Sequence, residues 1–129
     1  MDTDALVRVG HRLLSLLDAA GMPPCMAIWM HNLEVDVWKL WMVPPIRRNK
    51  NENIGKEQFF LNLSKIISGN RAEFSDFDIG MVAYQTVRNP LVEAIGHLFR
   101  APGFARAHIN NSKFNGLLIE ECIILRSDL

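Results

Sequence analysis

The chain has no charge of one sign to spare: 14 Lys and Arg balance 14 Asp and Glu. A dedicated nucleic-acid binder carries a basic surplus, so that class is disfavoured. A neutral surface also offers little repulsion between copies. Cysteine is scarce, with 2 in 129 residues, too few for a disulfide framework. Cys25 and Cys122 fall in expected strands and read as small buried apolar residues of a reducing compartment, a bridge between them being left open. The N-terminus carries Asp2 and Asp4 before its apolar run and lacks a basic region, so no signal peptide is expected. No apolar run approaches the roughly 20 residues that span a membrane. These absences lead to the expectation of a soluble cytoplasmic protein.

Chemical signatures are missing as well. The sequence contains no phosphate-binding loop, no dinucleotide glycine fingerprint and no nucleophile elbow. His11, His31, His97 and His108 lie in different expected elements, and no His-x-x-x-His or Cys-x-x-Cys pair is present. Asp76 and Asp78 form an Asp-x-Asp without the rest of a calcium loop. Arg47, Arg48 and Lys50, with Lys56 nearby, concentrate positive charge, but no glycine-rich cradle or aromatic platform adjoins them. They read as a solvated loop. No catalytic residue, metal-ligand set or cofactor is assigned on this reading.

What is present is apolar content: 49% of the residues, enough for one domain over 1–129 with a real core. The stretch 25–43, CMAIWMHNLEVDVWKLWMV, reads as two strands joined near 31–34. Side chains alternate along a strand. Ala27 and Trp29 therefore share one face, Met26, Ile28 and Met30 the other. In the second arm Trp38, Leu40 and Met42, with Asp36 at their start, oppose Val35, Val37, Lys39, Trp41 and Val43. Both faces are apolar, unlike a sheet with one wetted side. The ribbon is expected to be sandwiched, either centrally or between helices and a second subunit. Trp38 and Trp41 lie on opposite faces and are the candidate interface or ligand-contacting residues, because each can bury roughly 200 Å².

Around this ribbon the pattern gives helices over 3–20, 55–68 and from Asn89-Pro90 onward. Leu6, Val9, Leu13, Leu16 and Leu17 form an apolar stripe on the first, Gly21 is a plausible stop, and Asn89 is a good cap ahead of a first-turn proline. A third strand is expected over 79–84 and a second hairpin over 104–125. The hairpin's turn falls at 110–113 or, alternatively, at Asn115-Gly116. Glu120 and Glu121 interrupt both faces of the last strand, so one of them must point toward an apolar side unless the strand is bulged or at an edge. The order is helix-strand-strand-helix-strand-helix-strand-strand. It predicts an α+β fold with a mostly antiparallel five-stranded sheet packed with three helices. If the hairpins are neighbours, His31 could meet His108 or Glu120.

Asp18-Ala19-Ala20-Gly21, Ala27-Ile28-Trp29, Val37-Trp38-Lys39-Leu40, Pro44, Phe114-Asn115-Gly116 and Ile119-Glu120-Glu121 together resemble a family of small bacterial α+β proteins without an assigned activity. The resemblance covers most of the chain but consists of packing and turn motifs, and it implies no catalytic residue. Three functions compete. The first is a non-catalytic interaction or assembly module acting as a homodimer through an exposed sheet face. The second is a small-molecule sensor with an apolar pocket. The third is a hydrolase or nuclease using Glu120, Glu121, Asp76 or His108.

Overall fold

A computed structural model describes residues 2–47, 52–114 and 116–129. The elements are α1 (Thr3–Ala19), β1 (Met26–Asn32), β2 (Val37–Val43), β3 (Ile46–Arg47), β4 (Glu52–Asn53), α2 (Lys56–Gly69), β5 (Val82–Tyr84), α3 (Pro90–Leu98), β6 (Ala107–Phe114) and β7 (Leu117–Ser127). The expected α+β order is present, and the β3–β4 pair is a small two-stranded addition. The main sheet runs β5-β2-β1-β7-β6. All its pairs are antiparallel except β2 with β5. Among the described residues no helix is long and apolar enough to cross a membrane.

The local signals act as expected at the helix ends. Asp2 accepts a 2.7 Å bond from the Ala5 amide and caps α1. At the other end Gly21 adopts φ +77°, and the amides of Gly21 and Met22 return to the carbonyls of Asp18 and Leu17. Asn89 accepts from the amides of Leu91 and Val92, with Pro90 in the first turn of α3.

Helices cover both faces of the sheet. Ala27, Trp29, Leu40, Met42, Ile123 and Leu125 pack on Leu6, Leu13, Leu14 and Leu17 of α1 and on Phe59 and Leu63 of α2. Met26, Ile28, Val43, Cys122 and Ile124 pack on Val92, Ala94 and Ile95 of α3. The two-sided apolar ribbon is thus central. Trp29 is fully buried, and its indole N–H donates to the Leu6 carbonyl at 2.7 Å, which removes the cost of burying that donor.

Two strand irregularities shape the sheet. The β1–β7 register shifts between Ala27 and Ile28: Ile28 pairs with Ile124, whereas Ala27 pairs with Arg126. Leu125 is the extra residue of this bulge. Leu125 packs under α1, and the next residue, Arg126, also reaches that helix. In β6, pairing passes over Asn111, which sits at φ +46°. Asparagine tolerates that conformation locally. The chain therefore reverses after Phe114, which lies opposite Leu117, with Gly116 at φ +81°, while 110–113 runs on as strand; Asn115 of the alternative turn lies outside the described residues.

Candidate functional site

The register of three neighbouring strands assembles a charged cluster near one end of the sheet. His31 lies opposite Trp38 on one side and Glu121 on the other. The His31 and Trp38 rings stack with centroids 4.3 Å apart and planes 2° from parallel. His31 Nδ1 is 2.7 Å from Glu121 Oε1, and Nε2 is 2.8 Å from Asp36 Oδ1. His108 Nε2 is 2.6 Å from Glu121 Oε2. One carboxylate thus joins β1, β7 and β6, and one imidazole joins that carboxylate to the β1–β2 turn. Burial of the His31 ring alone would lower its pKa, but its bonds to Asp36 and Glu121 outweigh this and leave it raised. Glu121 runs the other way: burial pushes it up, and the bonds from His31 and His108 leave it lowered.

The β1–β2 connection is a four-residue turn, 33–36, later than the sequence placed it, closed by Asn32 opposite Val37. Asn32 Oδ1 accepts from the Glu34 amide, and Asp36 holds φ +52°. This turn, the first residue of β2 and the start of β7 carry Leu33, Val35, Val37, Leu117 and Leu118, all exposed. Between β1–β2 and β7 lies a cleft of about 450 Å³ lined by Met30, Trp41, Leu91, Leu118 and Ile119, with Glu34 and Glu120 among its polar residues. Lys39 also lines it, its ammonium donating to the Gly80 carbonyl at 2.6 Å.

The sequence candidates are thereby divided. Trp38 stacks on His31, and Trp41 lines the cleft on the α3 side. His31 and His108 do come together, but on Glu121, while Glu120 faces the cleft. Asp76 and Asp78 line a separate 510 Å³ depression beside α2, where Asp78 caps a short turn by accepting from Gly80. Among the described residues, no group of three or more His, Cys, Asp or Glu is placed to hold a metal ion. Arg48 and Lys50 lie outside the described residues. Asp36, expected at the start of the second strand, lies in the β1–β2 turn instead, and the pair Asp18–Arg126 went unread in the sequence because a bulge sets it. His11 is structural, its ring nitrogen donating to the Ala105 carbonyl at 2.7 Å.

Cys25 and Cys122 are both free. Cys122 pairs with Met30, five residues along β1 from Cys25, roughly 16 Å at strand rise. Burial pushes both thiols up to about 11, which removes thiolate nucleophiles from the chemistry available at neutral pH. No protein-family model matches this chain, and neither a curated protein nor a solved structure does, so its function is argued from this geometry.

Proposed function

We propose that this protein is a non-catalytic interaction module that works as a homodimer, docking through the end of the sheet rather than through a sheet face. Helices already cover both faces. The observation that carries the reading is that Leu33, Val35, Val37, Leu117 and Leu118 are all exposed at the end of the sheet where the β1–β2 turn and the start of β7 lie, with Val35 the most open at 63%. Single exposed aliphatics are ordinary, whereas several at one end of a sheet suit an interaction surface. Covering each half-exposed side chain contributes about 1 kcal/mol. Five from each copy, ten in the dimer, contribute about 10 kcal/mol against an association cost on the order of 4–15 kcal/mol. The dimer is therefore weak and concentration-dependent, aided by a net charge of zero. Two unpaired thiols suit a reducing cytoplasm.

Sedimentation at tens of micromolar tests this. Dimer is expected for the native chain and monomer for Val35→Asp with Leu118→Asp, at unchanged thermal stability because both positions are exposed. A native chain that stays monomeric at those concentrations rejects the proposal. A second reading, a small-molecule sensor, is favoured by the cleft that Trp41 and Met30 floor.

A further inference from the structure

His31 faces more acceptors than a neutral ring satisfies. A neutral imidazole has one N–H, whereas an ionised carboxylate only accepts. Both ring nitrogens of His31 lie within hydrogen-bond distance of carboxylate oxygens, Glu121 at 2.7 Å and Asp36 at 2.8 Å. Both contacts are hydrogen bonds at once only in the imidazolium. Trp38 adds a parallel π face to the same ring, which favours a cation over a neutral group. The charged neighbours point the same way. Asp36 comes from the turn, Glu121 from β7 with His108 of β6 behind it, and Glu34, Lys39 and Glu120 surround the adjoining cleft. Lys39 is engaged on Gly80, so carboxylates predominate around His31.

Losing the proton leaves one N–H for two carboxylates. The Asp36 side chain is 88% exposed and Glu121 19%, so water replaces the bond to Asp36 more readily. Asp36 is also the left-handed residue that closes the turn. We propose that His31 is a proton-operated latch: its imidazolium fastens Asp36, and with it the turn presenting Leu33 and Val35, so that self-association strengthens at low pH and weakens as His31 deprotonates. The consequence for association rests on the homodimer reading above, whereas the latch itself does not.

The test is a pH titration followed by ¹H–¹⁵N NMR of the 33–36 amides and the His31 ring nitrogens, with sedimentation run in parallel. In the native chain the turn amides are expected to titrate together with His31 and to broaden or shift toward unstructured positions on deprotonation. His31→Gln should abolish that titration. Asp36→Asn, a milder change that keeps a residue tolerant of the left-handed conformation, should move the His31 midpoint down. The native dimer is expected to weaken about tenfold across the midpoint, ~1.4 kcal/mol, and the His31→Gln dimer to stay level. Turn amides that ignore His31, or that still titrate in His31→Gln, overturn the latch. Titrating amides in a chain monomeric at every pH would sustain the latch and overturn its link to self-association.

Discussion

Arg126 and Asp18 meet through two parallel 2.8 Å hydrogen bonds that tie the end of β7 to the end of α1. The guanidinium also donates to the carbonyls of Gly103 and Pro24 and lies over the Phe104 ring at 5.3 Å. At 4% exposure Arg126 is a buried cation whose donors are met by one carboxylate and two carbonyls. Such a group is tolerated only while it stays paired.

Removing the carboxylate should therefore cost more than removing a surface cap. Asp18→Ala strands the guanidinium and is expected to destabilise the fold by about 3 kcal/mol, the low end for a broken buried pair because Asp18 is itself one-third exposed. Asp2→Ala removes a helix cap worth about 1 kcal/mol. Urea midpoints of the two variants check the order, and equal losses would contradict the account of Arg126.

Two helix glycines should respond with opposite signs. A Cβ on Gly10 of α1 would come 2.3 Å from Leu125 Cδ1 and 3.0 Å from Trp29 Nε1, both fully buried. Overpacking there is expected to cost about 1–3 kcal/mol, more than the ~1 kcal/mol of helix propensity gained. A Cβ on Gly96 of α3 meets the half-exposed Leu129 side chain, which can swing away. Gly96→Ala should be neutral or stabilising by up to ~1 kcal/mol, read by thermal unfolding.

Much of this packing was legible beforehand, and the misses have physical causes. The period-2 pattern placed Trp29 and Ala27 together and set Trp38 against Trp41, because alternation is a property of one strand alone. The pairing of His31 with Glu121 was not legible, since it depends on β7 lying beside β1. Glu120 and Glu121 look alike in sequence, and a one-residue change of register exchanges their faces. Asn110–Lys113 has turn composition, yet Asn111 takes its left-handed conformation within a strand. The sheet face left for a partner is occupied by α3, which packs there through Val92, Ala94 and Ile95.

Stability should have two pH limbs. His31 is raised when folded, so its contribution is full below the ordinary histidine value of 6.5 and is lost as pH rises through the folded value above it. Glu121 is lowered, so its contribution is present above the ordinary 4.5 and is lost as pH falls through the folded value below it. Urea midpoints against pH should form a plateau between these limbs. In His31→Gln the upper limb should vanish.

The thiols should be inert in the folded chain. With values near 11, about one thiol in a thousand is thiolate at pH 8. Thiol-disulfide exchange with a chromogenic aromatic disulfide should be slow until denaturant is added, when both cysteines react. Rapid native labelling of Cys122 would contradict its burial.

Because β7 sits between β1 and β6, the sheet cannot be completed from one end of the chain to the other. The partners His31 and Glu121 are 90 residues apart, so closing them demands a long-range encounter after the local β1–β2 ribbon has formed. During synthesis that ribbon must wait, its β7 edge unpaired, until Leu117–Ser127 has left the ribosome. The His31–Glu121 bond is thus a signature of the completed sheet, and a nascent chain stalled before β7 would display an open, apolar strand edge in its place.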